Sequence, residues 1–496
     1  SDVCSSDLNT VLQAAFFKLS GVLPIDQAEQ YMKDAAVKSF SKKGEKVVQM
    51  NFQAIEQGLT AMVQIPVDPA WKDLKDDVQV IDESLPEYAQ QVLVPINAAK
   101  GDDIPVSVFK NYADGVMPTA MAKFEKRGVA DNVPVWNIDK CIGCNKCSLV
   151  CPHAAIRPFL LSEEEAAAAP FASKEAKGKG FEGLRFRIQV DVMDCQGCRS
   201  CANVCPVGAL EMAHLDDQVD EQKNWDYCLG ELSEKPNPMT RFSSKGSQYE
   251  QPLYEFSGAC PGCGETPYIK LLTQLFGDRL YVANATGCSQ AYGFYTPTYP
   301  QTVTKRGFGP AFSNSLFENN AEFALGISMA ADQMRDQVRM HAASLAKTTE
   351  DGNLKAALEA WLSEGDVDEK TVALSDAVRS AIAATTDQSA DVEFIRQRED
   401  ALTRKAVWMV GGDGWAYDIG YGGLDHVLAT GRNLNVLVMD NELYANTGGQ
   451  ASKATPTGAS VQFAAAGKGT PKKDLGLILS TYGYIYVAQV SIGGNP

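Results

Sequence analysis

Eight cysteines in two short runs carry the strongest chemical signal in this sequence. The first run begins at Cys141 and the second at Cys195, and both have the spacing C-x2-C-x2-C-x3-C-P. This spacing brings three sulfurs of one turn to the same inorganic centre, with Gly143 and Gly197 relieving the backbone. The proline after the last cysteine of each run fixes the direction of the departing chain.

The repeated spacing predicts two [4Fe-4S] clusters and one-electron transfer. In bacterial ferredoxins this run occurs twice, and the fourth cysteine of each copy ligates the cluster of the other copy. Zinc sites usually pair two C-x2-C units across a longer gap, and disulfides need an oxidising compartment, for which no secretory signal is seen. By the ferredoxin rule one cluster would be held by Cys141, Cys144, Cys147 and Cys205, and the other by Cys195, Cys198, Cys201 and Cys151.

The overall composition narrows the class of protein. The 496 residues are 45% hydrophobic and 22% charged, which is ordinary for a folded chain of roughly three domains. The net charge of -17 argues against a nucleic-acid binder, and no apolar run is long enough to span a membrane. Thirteen cysteines without a secretory signal indicate metal chemistry in a reducing cytoplasm.

A second candidate site lies near the end of the chain. A buried strand at 405–410 runs into Gly412-Asp413-Gly414, a helical stretch follows from 416 to about 430, and a second strand at 436–439 runs into Asp440 and Asn441. This order predicts a right-handed βαβ unit with parallel strands. Asp413 and Asn441 would then lie at the carboxyl ends of neighbouring strands, where open α/β sheets bind ligands.

The residues at this edge suit magnesium and a diphosphate. Carboxylate, amide and backbone oxygens are the hard ligands that Mg2+ prefers. Gly412 and Gly414 allow a diphosphate to approach the backbone, and the following helix N-terminus favours its negative charge. Gly-Asp-Gly alone is a common turn, but with Asn441 at this distance it resembles the thiamine diphosphate motif.

Three more cysteines precede this unit and predict a third cluster. They are Cys260 and Cys263, in a Cys-Pro-Gly-Cys-Gly-Glu segment, and Cys288. A fourth ligand is missing, and Cys228 and Cys4 are poor candidates. The ligand would therefore lie beyond Pro496, unless the three cysteines form a zinc site or remain free thiols.

Periodicity predicts the remaining elements. We expect a helix capped by Asp26 that ends near residue 43, and a polar, loop-like stretch from 216 to 256. Further helices are predicted at 47–59 and within an amphipathic stretch at 330–404, and strands at 61–65, 185–190 and 484–490.

Both ends of the chain look cut, and residues 1–8 look foreign.

Together these features resemble the single-chain pyruvate:ferredoxin (or flavodoxin) oxidoreductases. The resemblance covers about residues 9–496 and implies an α/β multidomain fold. Its parts would be the end of a gamma-type α/β domain (1–70), a connecting subdomain (71–125), a bacterial 2[4Fe-4S] ferredoxin-like α+β domain (126–250) and a doubly wound α/β thiamine diphosphate-binding domain (251–496). The motifs that carry it are Ala14–Phe17, Phe124–Gly128, Cys260–Glu265, Asn314–Glu318 and Asn446–Gln450.

The resemblance also implies residue roles. Asp413, Asn441 and the backbone oxygen of Leu443 would hold Mg2+, and Cys260, Cys263 and Cys288 would hold the third [4Fe-4S] cluster, with a fourth ligand C-terminal to Pro496. Thiamine diphosphate would be lined by Gly412, Asp413, Gly414, Trp415, Asn441, Glu442, Leu443, Tyr444, Ala445 and Asn446, with Glu265 and Cys288 also touching it.

The implied activity is oxidative decarboxylation of pyruvate, with coenzyme A, to acetyl-CoA and CO2. Electrons would leave singly through three clusters to ferredoxin or flavodoxin, in a protein that is a homodimer at full length. Two alternatives remain: an oxidoreductase for another 2-oxo acid, or an electron-transfer module without thiamine chemistry. A basic patch containing Lys174, Lys177 and Lys179 would steer an acidic carrier, unless it is an ordinary mixed surface.

We expect no turnover by this chain alone. The resemblance places the glutamate that activates thiamine, and the groups that grip the substrate, in N-terminal domains that this sequence lacks. An assay of the purified chain for acetyl-CoA should therefore remain at background, and measurable product would contradict this expectation.

Overall fold

A computed structural model describes residues 5–74 and 82–494. Clustering of the backbone divides the chain into two compact units. The first comprises residues 1–82, 412–421 and 439–478, and the second comprises 83–411, 422–438 and 479–496. Within the described ranges, no helix combines the length and the apolar character that crossing a bilayer requires.

Three helices form the N-terminal part of the first unit: α1 (Ser5–Ser20), α2 (Ile25–Phe40) and α3 (Glu45–Thr60). Their apolar faces meet in a small core around Ala14, Met32, Ile55 and Leu59. At Gly58, helix α3 approaches α1 so closely that an added Cβ would lie 2.4 Å from the Val11 carbonyl oxygen. The two predicted helices of this region are therefore confirmed, and the packing explains the glycine.

Some details of this region were predicted wrongly. Pro24, not Asp26, is the N-cap of α2, and Asp26 lies in its first turn, where it favours the helix dipole instead. No strand forms at 61–65, where Val63 is 83% and Ile65 80% exposed, and no strand of the described residues pairs with this stretch. Residues 1–8 were predicted to be foreign. Residues 1–4 lie outside the described part, and Ser5–Leu8 are the first residues of α1. Residues 75–81 of the predicted connecting subdomain also lie outside it.

The connecting segment has a small core of its own within the second unit. A π-helical turn, Ala89–Leu93, continues into α4 (Val94–Asn97), and short 3-10 turns follow as far as Phe124. The core consists of Tyr88, Ala89, Val92, Leu93 and Met121.

The cysteine-rich region folds as two small antiparallel sheets with short helices. Strand β1 (Asn132–Trp136) pairs with β5 (Leu210–His214), and β2 (Ile156–Ser162) pairs with β4 (Leu184–Val190), whose other edge carries β3 (Lys174–Glu175). The prediction of a strand at 185–190 is confirmed. The short helices are α5 (Lys146–Leu149), α6 (Glu163–Ala168) and α7 (Ser200–Val204).

The stretch from 216 to 256 is not a continuous loop. Helix α8 (Glu221–Gly230) forms within it and buries Trp225 and Cys228. Trp225 packs edge-on against Phe159 and Phe256, and the Arg157 guanidinium lies 5.0 Å from its ring centroid. The prediction failed because these partners are distant in sequence, so the helix depends on tertiary packing.

A four-stranded sheet with the order β7-β6-β8-β9 organises the last region. Strand β6 is parallel to both β7 and β8, as the α/β prediction requires. The predicted strand at 484–490 does not form, and Tyr486 in it is 91% exposed. The strands are β6 (Leu280–Asn284), β7 (Ala311–Asn314), β8 (Ala406–Gly412) and β9 (Asn435–Met439), and the accompanying helices are α9 (Thr266–Phe276), α10 (Cys288–Gly293), α15 (Tyr421–Ala429) and α16 (Leu475–Ser480).

Four helices occupy the stretch between β7 and β8, where the amphipathic pattern predicted them. Trp361 is fully buried at their centre, and its Nε1 donates to the Leu402 carbonyl oxygen at 2.9 Å. Arg335 stacks on the same ring, with its guanidinium 5.0 Å from the centroid. The helices are α11 (Asn320–Thr348), α12 (Gly352–Glu364), α13 (Thr371–Ala384) and α14 (Ala390–Arg396).

Trp361→Ala should destabilise this helical block without emptying the cysteine sites. Removing a buried tryptophan costs about 3–5 kcal/mol, because the space it leaves is only partly refilled. The free energy of unfolding, from urea titration followed by far-ultraviolet circular dichroism, should fall by that amount while iron content is unchanged. Lys355→Ala, on an exposed position of the same helix, is the control. A loss equal to the control's would contradict the packing described.

Candidate cluster and cofactor sites

The first set of cysteines lines one cavity: Cys141, Cys144, Cys147 and Cys205. Its free space, including the opening to solvent, is ≈ 350 Å³. Burial raises the pKa of the Cys147 thiol to about 12, and Cys141, Cys144 and Cys205 add to the increase as neighbouring thiolates. The structure therefore brings the fourth cysteine of the second run to the first three of the first run.

The second set lines another cavity, with ≈ 390 Å³ of free space: Cys151, Cys195, Cys198 and Cys201. Burial raises the pKa of Cys201 far above its ordinary value, and Cys151 is the first of the thiols that raise it further. Burial likewise raises the pKa of Cys195 to about 12. The crossed grouping expected from the ferredoxin rule is therefore present in the fold.

The two runs adopt the same local conformation. Gly143 and Asn145 in the first run, and Gly197 and Arg199 in the second, have left-handed backbone with φ between 59° and 67°. This turn lets the Gly143 N–H donate to the Cys141 sulfur, and the Gly197 N–H to the Cys195 sulfur, each at 3.4 Å. Such N–H donors stabilise negative charge on the sulfurs.

The spacing of the side chains fits a cluster better than a single ion. Four thiolates bonded to zinc at about 2.3 Å would have sulfurs only about 3.8 Å apart. Within the described ranges, no three His, Cys, Asp or Glu side chains are grouped closely enough to hold one metal ion. Each set instead surrounds an open space, as a polynuclear centre requires. The raised thiol pKa values agree with bound metal. Burial disfavours the thiolate form, so these cysteines would be deprotonated only with a positive group between them.

The third group of cysteines is assembled around the start of α10. Burial raises the pKa of Cys288 to about 11, and Glu265, Cys263 and Cys260 contribute as nearby negative groups. The Cys263 sulfur accepts the Glu265 N–H at 3.4 Å, and a Glu265 carboxylate oxygen accepts the Tyr292 hydroxyl at 2.9 Å. Cys228 packs elsewhere, with Leu161 and Leu232, and Cys4 lies outside the described residues.

The three cysteine groups form a series within the second unit. An added Cβ on Gly262, between Cys260 and Cys263, would lie 3.6 Å from the Cys198 Cβ. Cys147 of the first set is one of the groups that raise the pKa of Cys201 in the second. The order is therefore third group, second set, first set.

Lys174 is only half exposed, and its ammonium group is hydrogen-bonded to the protein. Its Nζ donates to the Ile138 carbonyl oxygen at 2.8 Å and also to the Cys141 carbonyl oxygen. It therefore supports the first cysteine loop, in addition to the surface role predicted for it. Lys177 and Lys179 are exposed.

Asp413, directly after β8, has the character of a cation ligand. Its carboxylate is fully buried; Oδ2 accepts the Ser452 hydroxyl at 2.5 Å, while Oδ1 has no hydrogen-bond partner among the described residues. Burial raises its pKa to about 6, and the carboxylates of Asp440 and Asp418 act in the same direction. A buried, partly unsatisfied carboxylate near other carboxylates is suited to a divalent cation.

The loop after β9 lies against the Gly412–Trp415 turn. The Tyr444 hydroxyl donates to the Gly414 carbonyl oxygen at 3.4 Å, and a Cβ on Gly414 would be 2.6 Å from the Tyr444 ring. Glu442 has left-handed backbone with φ 68°, which turns the chain toward Leu443. Asn441, Ala445 and Asn446 are on the exposed part of this loop, and Trp415 is fully buried beside it.

Sequence reasoning missed two hydroxyl residues of this site. Ser452 holds Asp413, and Thr455 Oγ1 donates to the Glu442 carbonyl oxygen at 2.5 Å, so the two join both loops. Lys472 was missed too, and its Nζ lies 2.7 Å from the Asp440 carboxylate. The only sequence signal for these residues is their position after the Asn446–Gln450 motif. That position does not reveal that the chain returns to Asp413 and Glu442.

Comparison with protein families supports both kinds of site. Residues 140–209 match the family described as a 4Fe-4S dicluster domain. Residues 380–493 match the C-terminal TPP-binding domain of thiamine pyrophosphate enzymes. Residues 75–130 match a domain of unknown function named EKR.

Whole-chain relatives decide the family. Pyruvate:ferredoxin oxidoreductase of Moorella thermoacetica is 49% identical over 99% of this chain, and pyruvate-flavodoxin oxidoreductase of Enterobacter agglomerans is 47% identical over 98%. The chain belongs to the pyruvate:ferredoxin (flavodoxin) oxidoreductase family. It spans 42% of the length of each of these two relatives. The mitochondrial pyruvate dehydrogenase [NADP(+)] of Euglena gracilis is 44% identical over 98% of the chain, which covers 27% of that protein.

The family matches confirm the predicted [4Fe-4S] and thiamine diphosphate cofactors and the predicted fold class. The chain contains a 4Fe-4S dicluster domain and the C-terminal TPP-binding domain of thiamine pyrophosphate enzymes. Its parallel sheet and the two small antiparallel sheets agree with an α/β multidomain architecture.

Paired alanine substitutions should reveal which cysteines share a cluster. If ligation is crossed, Cys141→Ala with Cys205→Ala removes one cluster, about four irons, whereas Cys141→Ala with Cys151→Ala removes both, about eight. Iron and sulfide analysis after anaerobic reconstitution measures the difference. Cys228→Ala, a buried cysteine outside both sets, should lose none. The reverse ranking of the two pairs would mean that each run holds its own cluster.

Proposed function

We propose that this chain is the thiamine diphosphate-binding and electron-carrying part of a pyruvate:ferredoxin or flavodoxin oxidoreductase. The whole protein would convert pyruvate and coenzyme A to acetyl-CoA and CO2 and release two electrons singly. The observation that carries the proposal is the series of three cysteine groups in a chain that also has a thiamine diphosphate domain. A two-electron oxidation that feeds one-electron carriers needs such a series of centres.

The cofactor domain would contribute binding and orientation. Thiamine diphosphate supplies the electron sink that makes loss of CO2 from a 2-oxo acid feasible. Asp413 Oδ1 would ligate Mg2+, with Asn441 and the Leu443 carbonyl oxygen completing the protein ligands. The turn Gly412–Trp415 and the loop Asn441–Asn446 would line the diphosphate and thiazolium parts, and Ser452 would hold the Asp413 carboxylate in place.

The cysteine groups would provide three [4Fe-4S] centres. The ligands would be Cys141, Cys144, Cys147 and Cys205 for the first, and Cys195, Cys198, Cys201 and Cys151 for the second. Cys260, Cys263 and Cys288 would hold the third, beside Glu265. Electrons would pass from the third centre to the second and then to the first, the order in which the groups adjoin.

The partners are proposed from chemistry and from the names of the relatives. Those names mention ferredoxin, flavodoxin and NADP(+), so the acceptor is proposed to be a low-potential carrier such as ferredoxin or flavodoxin. Lys177 and Lys179 offer it a basic contact. Coenzyme A as acyl acceptor, a homodimeric full-length protein and a cytoplasmic location complete the proposal.

The domain organisation follows from the same assignment. We infer boundaries near residues 70, 125 and 250, as the sequence patterns indicated. The EKR family match over 75–130 and the separate core around Tyr88 and Val92 support a connecting subdomain. The dicluster match over 140–209 and the thiamine pyrophosphate match over 380–493 fall within the two regions that follow.

Binding of thiamine diphosphate with Mg2+ tests the cofactor assignment. It should quench tryptophan fluorescence, because Trp415 lies in the proposed site, and Asp413→Ala should weaken the apparent affinity at least tenfold. Asp336→Ala, an exposed aspartate on α11, is the matched control and should bind normally. Absence of quenching in the unmodified chain would favour a module that only transfers electrons. Normal binding by Asp413→Ala would remove the magnesium assignment alone.

A further inference from the structure

A lysine from the thiamine diphosphate-binding region is buried against the cysteine loops. Lys270 is on α9 and is 1% exposed, although lysine is rarely buried without a partner. Its Nζ donates to the Leu149 carbonyl oxygen at 3.2 Å and also to the Ser148 carbonyl oxygen. These carbonyls belong to the last residues of α5, whose C-terminal end attracts a cation.

The Lys270 ammonium group lies close to both cysteine sets. Ser148 and Leu149 lie in the chain between Cys147, of the first set, and Cys151, of the second. The same two thiols are the groups that favour the charged form of Lys270. The ammonium group is therefore placed beside the segment that connects the two proposed clusters.

No carboxylate among the described residues compensates this charge. Burial lowers the pKa of Lys270 to about 8, and the nearby Arg157 guanidinium acts in the same direction. Arg157 itself is paired with Glu255, which leaves Lys270 with carbonyls and thiols. A buried ammonium needs a negative neighbour to stay charged, and sulfur-ligated iron clusters are the negative groups available here.

Hydrogen bonds fix α9 in this position. The Ser148 hydroxyl donates to the Gln248 amide oxygen at 2.9 Å, and the Gln248 amide nitrogen donates to the Gln274 amide oxygen at 3.0 Å. Gln274 is on α9, one turn after Lys270. The ammonium is therefore held on a rigid helix whose first turn adjoins Cys263.

We propose that Lys270 is a shared counter-cation of the two clusters, and that it raises the reduction potential of both. Adding an electron increases the negative charge of a cluster, and a fixed positive charge nearby stabilises the reduced form. Because the ammonium adjoins both cysteine sets, it acts on two centres at once and keeps their potentials close. The inference rests on the proposed assignment of two clusters to the eight cysteines.

The test uses anaerobic reconstitution of the full 496-residue chain, followed by redox titration with electron paramagnetic resonance. Lys270→Gln keeps a hydrogen-bond donor but removes the charge, and Lys270→Met removes both. In both variants the equilibrium constant for one-electron reduction of each cluster should fall at least tenfold. This fall makes each midpoint potential more negative by about 59 mV or more. Lys355→Gln, an exposed lysine on α12, should leave both potentials unchanged.

Iron analysis separates this inference from the assignment beneath it. Fewer than about eight irons in the unmodified chain would mean that the two-cluster assignment itself is wrong. Unchanged potentials in fully loaded Lys270→Gln would overturn the role of Lys270 alone. If both neutral variants lose clusters, Lys270→Arg shows whether the charge or the shape of the side chain is needed. Normal iron loading of this variant supports a requirement for the charge. Failure to load means that the residue acts only through its shape.

Discussion

Compensation of buried negative charge is the constraint on which the cysteine-rich region depends. Eight thiols lie around two cavities in one small domain, and burial makes their ionisation costly. Iron held by these thiols would lower that cost, and the protein adds fixed N–H donors from two left-handed turns. Two lysines lie close to these thiols: Lys174 donates to a carbonyl before the first loop, and Lys270 donates to a carbonyl of the segment that joins the two sets. Lys126 adds a third cation, with its Nζ 2.5 Å from Asp191, a group that acts on the Cys195 thiol. The surrounding fold therefore holds these charged groups in fixed positions.

The same constraint explains how distant parts of the sequence come together. Helix α9 begins beside the third cysteine group, and its Gln274 accepts a hydrogen bond from Gln248 of the ferredoxin-like region. Lys126, from the Phe124–Gly128 motif, reaches the aspartates that precede Cys195. In the same motif Glu125 pairs with Arg127 and accepts the Thr298 hydroxyl. Charged residues within the EKR match therefore connect this segment to both of the regions that follow it in the chain.

What the sequence could predict depended on how local the determining interaction was. The cysteine runs and the Gly-Asp-Gly turn have fixed short spacings, so their positions and chemistry could be inferred directly. The strands at 61–65 and 484–490 were predicted wrongly because apolar composition does not reveal whether a pairing partner exists. Ser452, Thr455 and Lys270 were missed because their partners are 13 to 122 residues away in the chain. Helix α8 was missed for a related reason, since the packing of Trp225 stabilises it.

The close approach of Gly414 to Tyr444 limits how this cofactor turn can evolve. A methyl group at position 414 would overlap the aromatic ring, and the tyrosine hydroxyl in turn donates to the same glycine's carbonyl oxygen. A larger residue at 414 would be tolerated only if a smaller one replaced Tyr444, and that exchange would remove the hydrogen bond. Positions 414 and 444 should therefore covary among related sequences, so that a substitution in one loop is accompanied by a substitution in the other.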